Sequence, residues 1–176
     1  METNYKITKQ IYESANSLVF QGLLKPNNQP IILKILKENY PTPSELTRYK
    51  QEYEVTRSLN NNVENIIIVY DLNRYKNSLV MLLEDFGGQS LKLLLPQTQL
   101  TLEEFLTIAI KITESLAVIH KNNIIHNDIN PSNIIYNPQT GQLKIIDFGI
   151  STRLSQEFLT VLPPHQLEGT LAYIAP

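Results

Sequence analysis

The chain has 176 residues, of which 42% are hydrophobic and 18% are charged, as expected for one soluble domain or part of a larger one. A formal net charge of -2 favours neither nucleic acid nor an anionic membrane as a partner. The absence of cysteine excludes disulfides, cysteine-bound zinc and thiol catalysis. Residues 1–10 lack the apolar core of a signal peptide, and no apolar run is long enough to span a membrane, so we expect a cytoplasmic protein.

The first half of the sequence is predicted to be mainly β-structure. Runs rich in β-branched and aromatic residues, bounded by turn residues, predict strands at 5–11, 18–24, 31–36, 66–72 and 79–84. Between the third and fourth strands, Ser44 can cap a helix that ends near Leu59. The last two strands are predicted to pair as a hairpin.

The sequence changes character after Gly87-Gly88, where helical periodicity becomes dominant. A short apolar segment at 91–95 ends at a proline, and Thr101 with Glu104 forms a capping-box pattern for a helix that ends near Lys121. A second hairpin is predicted from 134–136 and 143–146. Together these elements predict an α+β fold with a boundary near residues 86–88.

The segment His126-Asn127-Asp128-Ile129-Asn130-Pro131-Ser132-Asn133 lies in a loop between a helix and a hairpin. Phosphoryl transfer requires a carboxylate that orients the attacking hydroxyl and oxygen ligands for Mg²⁺, and Asp128 and Asn133 can supply both. Asp, Asn and Pro are also ordinary turn residues, so this segment alone leaves a plain turn open.

Asp147-Phe148-Gly149 directly follows the predicted strand 143–146. A carboxylate at the end of a buried strand is costly unless a cation or hydrogen-bond donors compensate it, and a divalent ion shared with ATP would do so. The alternative for this tripeptide alone is a strand-end turn.

Taken together, His-x-Asp-x-x-x-x-Asn, a hairpin and then Asp-Phe-Gly resemble the protein kinase family. The resemblance implies a two-lobed fold. Residues 1–86 would form an amino-terminal lobe with a five-stranded antiparallel sheet and a helix, and residues 87–176 would form part of a mainly helical carboxy-terminal lobe. It also implies ATP and Mg²⁺ as cofactors and a protein as the substrate.

The resemblance also implies roles for individual residues. Asp128 would orient the acceptor hydroxyl, and Asn133 and Asp147 would bind Mg²⁺. Lys34 stands where the family has its strand lysine, which holds the α- and β-phosphates. We expect Glu52 to be its partner in an ion pair, with Glu54 as the nearest rival.

Residues expected to contact the nucleotide follow from the same register. Leu83 would be the gatekeeper, and the Glu84 carbonyl and Phe86 amide would meet the edge of adenine. Ser90 would reach the ribose. The residues expected to enclose adenine above and below are apolar: Ile11, Val19, Ile32 and Ile135.

Several positions depart from the family's pattern. The three glycine positions of the first strand-turn-strand are Tyr12, Ser14 and Ser17, although glycine normally lets backbone amides approach the phosphates. Asn130 replaces a lysine that neutralises charge on the transferred group. Asn127 replaces an arginine that clasps a phosphorylated activation loop, so control by phosphorylation of that loop is not expected, although Ser151, Thr152, Ser155 and Thr160 are potential acceptors.

Residues 169–176 resemble the segment that presents the protein substrate in kinases, and they end at Ala-Pro, one residue before the family's glutamate. In the family, helices that come after this segment normally cover the helix that ends near Lys121. The 176 residues do not include those helices, so we expect the apolar face of this helix to be exposed. Residues 84–88 and 167–173 resemble bacterial serine/threonine kinase domains, in particular those that precede sensor domains and a histidine kinase in large proteins. Downstream sensor or ATPase domains are therefore expected partners.

Two other functions remain open on the sequence. The departures at Tyr12, Ser14, Ser17 and Asn130 fit a pseudokinase, which would bind ATP or regulate a partner without turnover. A small-molecule kinase of the aminoglycoside or choline type shares the His-x-Asp-x-x-x-x-Asn pattern, but Asp147-Phe148-Gly149 and residues 169–176 argue against it.

Overall fold

The computed structural model describes residues 4–37, 40–60, 64–154 and 169–173. The chain divides into two compact units. The first consists of Met1–Arg57 and Ile68–Phe86, and the second of Ser58–Ile67 and Gly87–Pro176. The division after Phe86 lies where Gly87-Gly88 interrupts the sequence pattern, but residues 58–67 join the second unit although they precede that point.

The first unit is built around an antiparallel sheet and one helix among its described residues. Its elements are β1 (Tyr5–Glu13), β2 (Ser17–Leu24), β3 (Gln29–Leu36), α1 (Pro43–Leu59), β4 (Val69–Tyr75) and β5 (Ser78–Glu84). The strand order is β1-β2-β3-β5-β4. Neighbouring strands are consecutive along the chain except for β3 and β5, which pair although β4 lies between them in sequence. The predicted α+β class and five-stranded antiparallel sheet are confirmed.

The two faces of this sheet bury different side chains because successive residues of a strand point to opposite sides. Ile31, Leu33 and Ile35 lie in one apolar cluster with residues of β5. Leu36 lies in another cluster with Met81 and with Tyr49 of α1. The central strand β3 is therefore covered on both faces, and Lys34 shares the face of Leu36.

The predicted fourth strand begins too early. The sequence predicts a strand at residues 66–72, whereas β4 spans Val69–Tyr75. Ile66 instead forms a parallel bridge with Ile145, and the Ile67 amide donates to the Ile145 carbonyl at 3.2 Å, both within the second unit. The apolar character of residues 66–67 thus reflects burial in a different unit, which periodicity cannot distinguish.

The second unit combines one long helix with short strands. Its described elements are β6 (Gln89–Ser90), α2 (Leu91–Leu94), α3 (Leu102–Lys121), β7 (Ile124–Ile125), β8 (Ile134–Asn137), β9 (Gln142–Ile145), β10 (Thr152–Arg153) and a 3-10 turn (Leu171–Tyr173). The two-residue strands β6, β7 and β10 were not predicted. Strand β6 pairs with β8, and β7 pairs with β10. These short pairs hold the loops between them.

Helix α3 begins with the capping box that the sequence predicts. The Thr101 side chain accepts from the Glu104 amide, and the Glu104 carboxylate accepts from the Thr101 amide. One side of the helix packs through Ile108 onto the cluster that contains Ile134 and Leu143. As expected from the sequence, apolar side chains remain exposed elsewhere on this helix: Leu102, Phe105, Leu106 and Ile110. Of the helices that the structure describes, none combines the length and hydropathy needed to cross a bilayer.

Candidate active site

The loop between β7 and β8 holds the Asp128 carboxylate with side chains of its own segment. Asn133 donates from Nδ2 to Asp128 Oδ2 at 2.8 Å and to the Asp128 carbonyl at 2.9 Å. Because both amide hydrogens point to Asp128, the Asn133 carbonyl oxygen Oδ1 is the atom that can coordinate a cation. Two residues predicted to act together are therefore adjacent and mutually oriented.

The other carboxylate oxygen of Asp128 meets a residue 42 positions later in the chain. Thr170 donates to Asp128 Oδ1 from its amide at 3.0 Å and from its hydroxyl at 2.7 Å. Asn130 donates from Nδ2 to the Thr170 hydroxyl oxygen at 3.1 Å. Asn130 also accepts at Oδ1 from the Ser132 amide at 2.8 Å. Asn130 is thus a buried, uncharged member of this network, in the position where the family resemblance leads one to expect a lysine.

The buried side chain of His126 supports the start of the same loop. Its ring is 1% exposed and lies 4.7 Å from the ring of Phe148, which is fully buried. His126 Nε2 lies 3.0 Å from the Ile146 carbonyl oxygen, and the Asp128 amide lies 3.2 Å from Nδ1. A carbonyl can only accept and an amide can only donate, so the neutral tautomer with hydrogen on Nε2 satisfies both contacts.

Burial lowers the pKa of the His126 imidazole, against the opposing effects of the Ile146 carbonyl and the Asp147 and Asp128 carboxylates. Since the folded-state pKa is depressed, the unfolded chain binds a proton more readily, and stability falls as pH decreases through the unfolded pKa of about 6.5. We expect the free energy of unfolding to decrease by on the order of 1 kcal/mol per pH unit below that value.

Urea denaturation between pH 7.5 and 5.5 measures this dependence. His126→Phe keeps an aromatic ring beside Phe148 and should flatten the slope, and His126→Gln provides a second variant that does not titrate. An identical slope in these variants and the wild-type chain would show that another group causes the loss of stability. The remaining described histidine, His120, lies on exposed helix surface.

Asp147 is the second residue after β9, whereas the sequence predicts a strand that continues to Ile146. Its backbone has φ 66°, and its Oδ1 accepts from the Gly149 amide at 3.3 Å, so the side chain folds over its own turn. Aspartate tolerates this left-handed backbone conformation better than most non-glycine residues.

The oxygen donors in this unit suit a hard cation. Within the described residues, no group of three or more His, Cys, Asp or Glu side chains is arranged to hold a metal ion. Mg²⁺ commonly takes only one or two protein carboxylates, together with substrate phosphates and water. The Asp147 carboxylate and the Asn133 carbonyl oxygen match, in chemical type, the few protein ligands that such an ion takes.

The first unit contains the predicted ion pair between β3 and α1. Lys34 Nζ lies 2.6 Å from Glu52 Oε1, and the two side chains are 13% and 8% exposed. Glu54, the rival partner, lies on exposed helix surface. Tyr49 of the same helix donates from its hydroxyl to the Lys34 carbonyl, which further ties α1 to β3.

Strand register brings four predicted nucleotide contacts to one face of the sheet. Val19 is the cross-strand partner of Lys34, and Ile32 is the cross-strand partner of Leu83. Because Ile32 and Lys34 are two positions apart on β3, all four side chains lie on the same side. Ile11 lies where the β1–β2 register shifts between Gln10 and Tyr12, and its side chain is 43% exposed.

The remaining predicted nucleotide contacts lie around the end of β5 and on β6 and β8. The Glu84 amide donates to the Ile68 carbonyl at 3.0 Å, and its carboxylate accepts from the Ile68 amide at 2.6 Å. Phe86 is the last residue of the first unit. In the second unit, Ser90 and Ile135 are direct cross-strand partners, so they share one face of that small sheet.

Asn127 connects the Asp128 loop to the segment after Asp147. Its backbone has φ 66°, and its Nδ2 donates to the Ile150 carbonyl at 2.9 Å and to the Thr152 hydroxyl oxygen at 2.8 Å. Asn127 thus contacts this segment through an uncharged amide, at the position where the family resemblance implies an arginine. The Ser151 hydroxyl donates to the Phe148 carbonyl at 2.7 Å. The other potential acceptors, Ser155 and Thr160, and the Ala175-Pro176 end lie outside the described residues.

No local pattern in the sequence identifies Thr170 as a partner of Asp128 or His126 as a support of the loop. The family resemblance marks residues 169–176 only as a substrate-presenting segment, and Thr170 lies 42 positions after Asp128. His126 is part of a sequence motif. Its buried, hydrogen-bonded state depends on Phe148 and Ile146, which the chain brings back after a hairpin.

Comparison with known proteins gives a consistent set of similarities. The family model of the protein kinase domain matches residues 5–176. A probable serine/threonine-protein kinase of Clostridium perfringens is 28% identical over 174 residues, which cover 98% of this chain and 25% of that protein. The serine/threonine-protein kinase PrkC of Bacillus subtilis is 30% identical over 151 residues, covering 85% and 22%. PknL of Mycobacterium tuberculosis, also a serine/threonine-protein kinase, is 25% identical over 178 residues, covering 100% and 43%. The chain thus spans less than half the length of each of these relatives.

Proposed function

Because this chain belongs to the protein kinase family, we propose that it transfers the γ-phosphoryl group of ATP to serine or threonine hydroxyls of proteins. The observation that carries the proposal is the Lys34–Glu52 ion pair, at 2.6 Å and largely shielded from water. In protein kinases this strand-lysine and helix-glutamate pair must be in place for catalysis. The names of the relatives, which are serine/threonine-protein kinases, support hydroxyl groups of proteins as acceptors.

In this proposal Lys34 holds the α- and β-phosphates, and Glu52 orients the Lys34 ammonium. Ile11, Val19, Ile32, Leu83 and Ile135 contact adenine, the Glu84 carbonyl and Phe86 amide meet its edge, and Ser90 reaches the ribose. Asn133 and Asp147 hold Mg²⁺, which when bound neutralises charge on the phosphate oxygens.

Asp128 receives the acceptor hydroxyl in the proposed reaction. Its Oδ1 accepts two bonds from Thr170 and its Oδ2 accepts one from Asn133, which holds the carboxylate in one orientation. A carboxylate has about four lone-pair sites, so one further donor can still be accommodated. The acceptor hydroxyl takes that site and passes its proton to Asp128 as its oxygen attacks the γ-phosphorus. The bond from the γ-phosphorus to the β,γ-bridging oxygen breaks at the same time, and ADP leaves with that electron pair.

The residue at position 130 affects the rate of phosphoryl transfer in this proposal. An amide at this position holds Thr170 but carries no positive charge for the transferred phosphoryl group. Since a preorganised charge or donor of this kind typically contributes ~2.7–4 kcal/mol to transition-state stabilisation, we infer a slower kinase than relatives that carry lysine there.

The direct experiment incubates the purified chain with γ-labelled Mg·ATP and a generic protein substrate, followed by analysis of the phosphorylated residue type. We expect label on phosphoserine or phosphothreonine. ATP binding without transfer to any protein would instead indicate a pseudokinase, and transfer to amino-alcohol acceptors alone would indicate a small-molecule kinase. Either result would contradict the proposal.

Two further expectations depend on the proposed activity. We propose a cytoplasmic location, since Mg·ATP is supplied there. We also propose that sensor or ATPase domains accompany this chain in a larger polypeptide, because the relatives named above extend well beyond the matched region. The protein substrate and such domains are the expected partners.

A further inference from the structure

The turn between β1 and β2 is closed by the Ser14 hydroxyl. Ser14 Oγ accepts from the Asn16 amide at 3.3 Å and from the Ser17 amide at 3.0 Å. Its own hydrogen can be donated to the Ser17 carbonyl at 3.3 Å or shared with the Ser17 hydroxyl at 2.9 Å. One side-chain oxygen therefore accepts hydrogen bonds from two backbone amides of a four-residue turn.

This turn lies at the end of the sheet that carries the Lys34 ammonium. Ser17 begins β2, and Val19, two residues later, is the cross-strand partner of Lys34. Consecutive backbone amides in a turn form a concavity that binds anions, because their N–H dipoles converge. In this chain that capacity is used internally, since a serine side chain can compete for nearby backbone donors.

We propose that Ser14 sets the affinity of this chain for the phosphates of ATP by holding the Asn16 and Ser17 amides. The inference rests on the proposed function and names the residue that tunes nucleotide binding. A phosphate oxygen forms a stronger bond with an amide than a neutral hydroxyl does, but it must first displace the Ser14 oxygen. The cost of that displacement weakens binding of the phosphates and leaves binding of adenosine unaffected.

Three proteins separate the hydroxyl from the other properties of Ser14. Ser14→Ala removes only the oxygen and frees both amides, whereas Ser14→Gly also removes Cβ and adds backbone freedom. Thr8→Ala is the matched control, because it removes a hydroxyl that donates to the Gln21 carbonyl on the same pair of strands and accepts neither amide.

Calorimetric titration of each protein with Mg·ATP and with adenosine provides the measurement. We expect Ser14→Ala to bind Mg·ATP about tenfold tighter than the wild-type chain, from recovered amide–phosphate bonds. Adenosine should bind equally to both, and Thr8→Ala should match the wild-type chain for both ligands. Before nucleotide is added, the Asn16 and Ser17 amides should exchange with deuterium faster in Ser14→Ala, which checks the cap without reference to ATP.

The outcomes distinguish this inference from the proposed function. Unchanged or weaker Mg·ATP binding by Ser14→Ala, with the wild-type chain binding normally, would overturn the role of Ser14 and leave the kinase proposal intact. Tighter binding of adenosine as well would also overturn it, since the effect would then not involve phosphates. Failure of every variant to bind Mg·ATP would contradict both proposals together.

Discussion

Asp128→Asn is expected to reduce kcat for phosphoryl transfer by about 10³, near the middle of the range for loss of a positioned general base. Asparagine keeps the size of the side chain but cannot take a proton from the acceptor hydroxyl. It also replaces one of the two oxygens that accept from Thr170 and Asn133, so the loop loses at least one hydrogen bond. The KM for ATP should change little, because Asp128 is assigned to the acceptor and not to the nucleotide.

Initial rates at several ATP concentrations separate the two parameters. Asp71→Asn is a suitable control, because it makes the same chemical change at an exposed position on β4, where the Asp71 carboxylate accepts from the Leu72 amide. If Asp128→Asn retained a kcat within threefold of the wild-type chain, the role assigned to Asp128 would be wrong. A rise in the KM for ATP with constant kcat would contradict it equally, by pointing to nucleotide binding.

Lys34→Met is expected to cost both stability and activity. It removes the ammonium that faces the Glu52 carboxylate at 2.6 Å in a site where both side chains are largely buried. Breaking a buried ion pair from one side typically costs ~3–5 kcal/mol, because the remaining charge loses its compensation. We also expect kcat/KM to fall by about 10² or more, since a preorganised cation for the phosphates is lost.

The double variant Lys34→Met/Glu52→Leu separates these two effects. Replacing both members of a buried pair by apolar residues of similar volume is often neutral or stabilising. Urea denaturation should therefore show recovery of most of the lost stability, while phosphoryl transfer stays low. Recovery of activity along with stability would mean that the pair serves only the fold.

A control for the buried pair exists in the same unit. Lys37 lies 2.5 Å from Glu13 with both side chains well exposed, and the hydrogen bond from Lys37 lowers the pKa of the Glu13 carboxyl. Exposed ion pairs contribute little because water already solvates both charges. Lys37→Met should accordingly leave the urea midpoint unchanged within error, which would assign the effect at Lys34 to burial.

Local sequence signals predicted the elements whose period or cap is strong. The alternation in β3 placed Lys34 on the face of Leu36, where α1 packs, and the structure confirms Glu52 as its partner. The Thr101 and Glu104 pattern marked the start of α3, since a capping box satisfies free amides locally. The closeness of Asp128 and Asn133 could likewise be predicted, because both lie in one short loop.

Other features could not be read from any window of the sequence. The strands β6, β7 and β10 have two residues each, too few for a period, and form because β8 or each other provides a partner. The start of the fourth strand was misplaced because Ile66 and Ile67 are buried against β9. An apolar run shows that residues are buried but not which element covers them.

By itself, the sequence determined the chemical groups of this protein and the elements that carry them, since helix caps, strand alternation and loop motifs act over a few residues. Only the tertiary structure decided which distant residues form hydrogen bonds with those groups. The Asp128 carboxylate is oriented by Thr170, the His126 tautomer is set by Ile146, and neither pairing is local. Such contacts depend on the path of the backbone between distant segments, which is determined by packing of the whole unit and not by the preferences of the residues involved.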